Sequence, residues 1–316
     1  MKQALAKAST LPADKGLTEA FKDYAAFLDA APRTVQTYTG NIKQFIKWTA
    51  ENGIAQPTRK DIIAYRDELK ARYKPTTVQS YITALRLFFQ WTAHAGIYPN
   101  IAEHIKGAKL EGGHKKDYLN ASQMQDILER IDTKTAKGKR DYSIIAIMVT
   151  GGLRDIEVSR ANIEDLKQLG GQTVLYLQGK GKDERTDYIK IVPEVERSLR
   201  EYLRTRQKAK GKQPLFSSLS NNSKGQRLSA KSISSIVKQR LIEAGYNSDR
   251  LTAHSLRHTA VTLSLLGGLP LEEVQQFARH KSISTTQIYA HNLERAKNRS
   301  EDTIAGSIFR ERQGTT

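Results

Sequence analysis

Four short clusters in this 316-residue sequence gather side chains able to neutralise an anion or react with one. In GGLRDIE (151–157) a Gly-Gly pair separates two apolar helical stretches, which places Arg154 at the opening turn of a helix. Unpaired N–H groups and the positive end of the helix dipole favour an anion there, and the arginine adds to them. Glu157 follows three residues later on the same face, within reach of the guanidinium. In GKGKDER (179–185) Lys180 stands between two glycines in a hairpin turn. A lysine so placed can pair with phosphate or hand a proton to an alkoxide. In HSLRHTAVTLSLL (254–266) His254, Arg257 and His258 share one helical face at i, i+3 and i+4. Three cationic groups packed together repel one another unless an anion lies between them. The fourth cluster, ARHKSISTTQIYAH (278–291), ends one helix at His280 and carries Tyr289 on a short helix that Ser282, Ser284 or Thr285 can cap.

Taken singly, each cluster has an ordinary reading: an ion pair, a solvated turn, a packed tyrosine. His254 and His258 also have the spacing of a zinc pair. No glutamate stands between them in HExxH register, however, and the chain has no cysteine to complete a structural site. An oxyanion accounts for the intervening Arg257 better than a metal does.

Two sets of elements must position these residues. Apolar residues recur at 3.6 spacing in 17–30, 34–48, 59–73 and 77–94, with Phe21, Tyr24, Tyr38, Phe45, Tyr81, Phe88 and Phe89 on the inward faces. That pattern predicts a compact four-helix domain over residues 1–106 whose aromatic residues are core and not chemistry. Residues 107–117 (GAKLEGGHKKD in full) lack periodicity and read as a linker. A second domain, 118–316, opens with a helix capped by Asn120 or Ser122 and continues with a largely buried helix over 140–150. The β-rich runs 173–178 and 186–192 flank the lysine turn as a hairpin, and helices resume near residue 193. The fold class is mainly α with a small antiparallel β-sheet.

Composition narrows the partner. The chain holds 51 lysines and arginines against 33 carboxylates, a net charge of +18. Up to Lys116 the counts are 18 against 10, so both parts are basic and the excess is not a detachable tail. A polyanion touching both domains is the natural partner, and nucleic acid is the commonest. With no cysteine, disulfides and thiolate catalysis are excluded. No apolar run is long enough to span a membrane, and the opening residues lack the pattern of a secretory signal. Membrane contact is therefore not expected, and a cytoplasmic, nucleoid-associated protein is.

Taken in order, GLRxxE, a hairpin lysine, HxLRH, a histidine ending a helix and TTQIY nine residues on resemble the tyrosine recombinase, or phage integrase, family, in particular its Xer and transposon-integrase branches. The resemblance covers essentially the whole chain: a SAM-like core-binding domain followed by an α+β catalytic domain. It implies a bacterial, archaeal or phage-encoded enzyme that cleaves and rejoins double-stranded DNA as a tetramer through a Holliday junction. Carried over to this sequence, it implies that Tyr289 attacks the scissile phosphate and forms a 3′-phosphotyrosine. It implies further that Arg154 and Arg257 clamp the non-bridging oxygens, Lys180 protonates the leaving 5′-oxygen, His254 moves the proton of the nucleophile and His280 hydrogen-bonds the phosphate. Glu157 would support Arg154, and His258 would pack or support. No metal and no nucleotide cofactor is called for, because the cations are in the side chains and the phosphotyrosine conserves the bond energy. Accessory DNA-bending or directionality proteins are compatible with the resemblance.

The chain departs from the family pattern at Gly151, where threonine or alanine is common, and at Arg279, where glycine is common. If position 279 needs a positive φ, arginine there costs about 1 kcal/mol. Two rivals share some of these features: a type IB topoisomerase, which acts as a monomer, and a DNA-binding protein that has lost catalysis. The tail 298–314, with Ile304, Ile308 and Phe309 at helical spacing, favours assembly by docking on a neighbouring subunit.

Overall fold

A computed structural model describes residues 13–109, 117–179, 184–206, 209–297 and 299–309. The chain divides into two compact units at Gly112. The first is a helical bundle of α1 (Ala13–Phe27), α2 (Pro32–Glu51), α3 (Arg59–Arg72) and α4 (Pro75–His94). Pro32 and Pro75 occupy first helical positions, where a missing N–H costs nothing and the fixed φ suits the helix. Asp61 starts α3 by accepting from Thr58 N at 2.7 Å. Gly53 and Gly96, both at positive φ, follow the ends of α2 and α4. The inward stripes carry Ile42, Phe45, Ile82, Leu85, Phe88 and Phe89, all fully buried. Edge-to-face pairs such as Tyr24–Phe88, 5.3 Å between centroids, and Phe45–Phe89, 6.0 Å, knit them together.

The second unit opens with α5 (Ala121–Glu129), α6 (Ala136–Thr150) and α7 (Asp155–Arg160). Asn120 is the cap of α5: its Oδ1 accepts from Gln123 N at 2.8 Å, and Gln123 Oε1 accepts from Asn120 N at 2.9 Å. Then come β1 (Leu166–Leu169), β2 (Gln172–Leu177) and β3 (Asp187–Lys190), an antiparallel sheet in the order β1-β2-β3. The sequence pattern anticipates β2 and β3 but not β1, whose residues LKQL are mostly exposed and show no apolar alternation. Gly170 and Gly171, both at positive φ, close the β1–β2 turn. Helices follow as α8 (Pro193–Arg204), α9 (Ala230–Glu243), α10 (Ala253–Leu266), α11 (Leu271–Ala278), α12 (Ile283–Lys297) and α13 (Ser300–Ile308).

Helix α6 is the centre of this unit. Its run Ile144, Ile145, Ala146, Ile147 and Met148 is buried all round, as befits a helix surrounded by others. The sheet adds Leu175, Leu177 and Ile189 to the same core, with Leu175 paired to Ile189 across β2 and β3. A smaller apolar cluster of Val261, Val274, Ala278 and Tyr289 joins α10, α11 and α12. Helix α12 runs for 15 residues, longer than the short helix expected around Tyr289.

Candidate active site

The fold brings the N-terminus of α7, one face of α10 and the α11–α12 turn together. Arg154 is the N-cap of α7. Its backbone N–H donates to Glu157 Oε2 at 2.8 Å and its Nη1 to Glu157 Oε1 at 2.8 Å. Glu157 is thus both the helix cap and the hand that aims the guanidinium; its side chain is 1% exposed, that of Arg154 29%. The Gly-Gly pair before them is closely packed. A Cβ on Gly151 would lie 2.4 Å from Ile189 Cδ1 and 3.0 Å from the Ile147 carbonyl, and Gly152 has φ +57°.

Arg257 faces the same turn from α10 and is buried. Its Nη1 donates to the Gly152 carbonyl at 2.6 Å and its Nη2 to the Ala278 carbonyl. Burial, with Arg154 and Arg279 nearby, pulls its pKa down to about 9, against the pull of Glu157 and Tyr289. It remains charged at neutral pH.

His280 follows α11. Its Nδ1 lies 2.9 Å from Thr286 Oγ1, which is fully buried on α12. Burial first, then Arg257, Arg154, Arg279 and His254, depress the imidazole to about 4. The ring is therefore neutral at pH 7, a hydrogen-bonding group and not a cation. In the tautomer that takes the Thr286 hydroxyl as donor to Nδ1, Nε2 carries the proton and is free to donate to an anion.

Tyr289 is 6% exposed. Its ring stacks on His280 at 6.3 Å between centroids and lies 5.1 Å from His258, which in turn meets His254 edge-on at 4.7 Å. Burial raises the phenol to about 12, with Arg257 and Arg154 pulling the other way. In the free protein it is a protonated phenol held beside two guanidiniums. His254 is exposed and His258 buried, so His258 stands between Tyr289 and solvent-facing His254.

Lys180 lies outside the described residues. The flanks of its turn are anchored: Arg160 Nη1 donates to the Gly179 carbonyl at 3.0 Å, and Arg185 Nε meets Asp165 Oδ2 at 2.9 Å.

One member of the cluster escaped the motifs. Arg279, suspected from sequence only as a misfit, does sit at φ 53°, ψ 45°, in the left-handed region. That conformation costs an L-residue with a side chain about 1 kcal/mol relative to glycine. Its guanidinium turns inward and donates to the Phe277 and Gly152 carbonyls at 2.9 and 3.0 Å. It also lies 3.3 Å from Glu157 Oε2. Nothing in the spacing of the polar residues signals this; the hint is an arginine between an apolar helix end and a histidine.

Among the described residues the site therefore holds three guanidiniums around the carboxylate of Glu157, with Asp187 also acting on Arg279 and with neutral His280 and Tyr289 alongside. Such a cluster binds an oxyanion, and planar guanidiniums suit the oxygens of a phosphate.

Comparisons with known proteins agree. Residues 117–295 match the phage integrase family, and residues 17–97 match the phage integrase N-terminal SAM-like domain. A tyrosine recombinase of Synechococcus elongatus is 32% identical over 188 residues, 59% of this chain and 58% of that protein. The tyrosine recombinase XerC of Caldanaerobacter subterraneus is 33% identical over 198 residues, 62% of this chain and 52% of that protein. The chain thus spans little more than half the length of these relatives. The fold resembles that of XerH, a site-specific recombinase solved bound to its difH substrate, with TM-score 0.71, 22% identity, 94% of this chain and 85% of that one. It also resembles a lambda integrase dimer bound to a core site, with TM-score 0.65, 18% identity and 86% and 96% coverage. With a matching catalytic region over more than half its length and a matching N-terminal domain before it, the chain belongs to the phage integrase family.

Proposed function

We propose that the protein is a site-specific DNA recombinase that cleaves and rejoins double-stranded DNA through a covalent 3′-phosphotyrosine. The observation that carries this reading is the meeting of Arg154, Arg257, His280 and Tyr289, from three separate elements, around one anion-binding point. A phosphodiester brings one negative charge, and the pentacoordinate transition state concentrates more on its equatorial oxygens. Arg154 and Arg257 neutralise that charge, and Nε2–H of His280 donates to a non-bridging oxygen. The Tyr289 oxygen forms a bond to phosphorus as the bond from phosphorus to the 5′-oxygen breaks. The phenolic proton leaves towards His254, and Lys180 supplies the proton that the departing 5′-hydroxyl needs. Attack by the 5′-hydroxyl of a second strand reverses the steps and joins the exchanged strands, so no external energy source enters.

The domain over residues 1–106 would embrace the DNA together with the catalytic domain over 118–316, in keeping with the basic charge of both. Lys137, Lys231 and a group of serines line a cleft where α6 and α9 begin, a surface suited to phosphate oxygens. Four protomers would assemble on two sites. Helix α13 leaves Ile304, Ile308 and Phe309 exposed at 57, 66 and 78%. An apolar groove lined by Met124, Leu128, Leu263 and Phe277 offers a seat for the α13 of a neighbouring protomer. That exposed helix favours the recombinase over the monomeric topoisomerase reading. A chain truncated after Ala296 is expected to bind DNA without forming tetramers. A cytoplasmic location in a bacterial cell fits this work.

The test is incubation with a library of nicked duplexes of randomised sequence, in which a cleaved strand drifts away and traps the enzyme. A covalent protein–DNA adduct on a denaturing gel, with a free 5′-hydroxyl on the released strand, is expected. Adducts carrying a 5′-linkage, or none from any member of the library, would overturn the reading.

A further inference from the structure

Arg279 takes no part in the chemistry just described, yet it touches the supports of Arg154 and Arg257 and adjoins His280. Its Nη1 donates to the Phe277 carbonyl at 2.9 Å and lies 3.3 Å from the Gly151 carbonyl. Its Nη2 donates to the Gly152 carbonyl at 3.0 Å and lies 3.3 Å from both Gly151 O and Glu157 Oε2. The Gly152 carbonyl also accepts from Arg257, and Glu157 is the carboxylate that aims Arg154. Arg279 is itself the residue before His280. One side chain, 12% exposed, therefore links the α7 approach, the α10 arginine and the α11–α12 turn.

The arrangement is not a passive filler. A guanidinium is charged and planar, and its fork spans three carbonyls and a carboxylate at once, which neither glycine nor lysine can do. It also adds positive potential to a site already rich in it.

We propose that Arg279 is a positioning residue: it bolts the Gly151–Gly152 turn and Glu157 to the α11–α12 turn, so that Arg154, Arg257 and His280 present one fixed geometry to the phosphate. This rests on the phosphoryl-transfer reading above. Arg279 pays for its left-handed backbone with these contacts; the same position filled by glycine would relieve the backbone and lose the bolt.

Two variants test it. Arg279→Gly relaxes the backbone, so unfolding is not its expected outcome; Arg279→Lys keeps the charge and loses the fork. Three quantities are measured on the full chain: DNA affinity, the single-turnover rate of adduct formation at saturating DNA, and the NMR titration of the His280 imidazole. His280 is faced by Arg257, Arg154, Arg279 and His254, with Tyr289 stacked on it and Thr286 bonded to it. In Arg279→Gly the rate should fall about 10- to 100-fold, the scale of a small misplacement of reacting groups. DNA affinity should change less than about threefold, because the loss is in the transition state. His280 should titrate at higher pH once a neighbouring cation is gone. Arg279→Lys should restore the titration and only part of the rate. A glycine variant that cleaves within about twofold of wild type overturns the proposal. So does an unmoved His280 titration, a result that holds even if wild type forms no adduct; that failure would sink the recombinase reading alone.

Discussion

The second unit holds two largely buried arginine–carboxylate clusters, and they differ in their charge balance. In the first, Asp141 takes Arg140 at 2.7 Å and Arg240 at 2.6 Å, and Arg240 also takes Glu243 at 2.6 Å. Two cations meet two anions, and the cluster ties α6 to α9. In the second, Arg154, Arg257 and Arg279 gather round the carboxylate of Glu157, with Asp187 acting on Arg279 as well, so three cations meet two anions. Arg257 spends its donors on the carbonyls of Gly152 and Ala278, which satisfy hydrogen bonds but cancel no charge. A buried, balanced network is architecture. A buried, unbalanced one carries a standing cost that an incoming anion relieves, which is how binding energy becomes available for catalysis.

Substitutions should separate the two clusters. Arg257→Met removes the unbalanced cation while keeping much of its volume. Adduct formation should fall by at least about 10³-fold, the worth of an arginine at a transferring phosphoryl group. Unfolding in urea should reveal a loss of no more than about 2 kcal/mol, from the carbonyls left without donors. Asp141→Ala should do the reverse, lowering the unfolding free energy by about 3–5 kcal/mol because buried Arg140 loses its carboxylate and Arg240 keeps only Glu243. Equal losses of stability from both changes would erase the distinction. Glu157→Gln keeps the shape at the start of α7 but raises the charge excess and loosens Arg154; cleavage should slow about 10- to 100-fold in a single-turnover assay.

The unbalanced cluster also predicts a pH signature. His280 titrates at about 4 in the folded protein and near 6.5 when unfolded. A depressed pKa contributes stability that is full above 6.5 and is lost as the pH falls from 6.5 through about 4. Urea denaturation at several pH values should show a steeper acid loss in wild type than in His280→Asn; parallel curves would contradict the burial of a neutral imidazole. The smallest effect belongs to a site remote from both clusters. Asn120→Ala removes the cap of α5 and should cost about 1 kcal/mol while leaving cleavage unchanged.

Much of this organisation is legible in the sequence because the physics is local. The periodicities of α2 and α4, the Gly-Gly break before Arg154, and the spacing of His254, Arg257 and His258 on α10 each follow from short-range rules. What is not legible depends on distant neighbours. Strand β1 has no apolar alternation of its own and exists because β2 offers it a partner. The tight space at Gly151 is set by Ile189 on β3, distant in the chain. Arg279 reads as a misfit until the Gly151–Gly152 carbonyls and Glu157 are seen beside it, more than a hundred residues away in the chain.

The central claim is that the cation cluster exists to let Tyr289 take a phosphate. Its most direct test is mass spectrometry of the protease-digested covalent adduct, with Tyr289→Phe run in parallel. The account predicts a nucleotide linked to the peptide containing Tyr289, and no adduct from the phenylalanine variant on any DNA. An adduct mapped to another residue, or one that survives Tyr289→Phe, would contradict it.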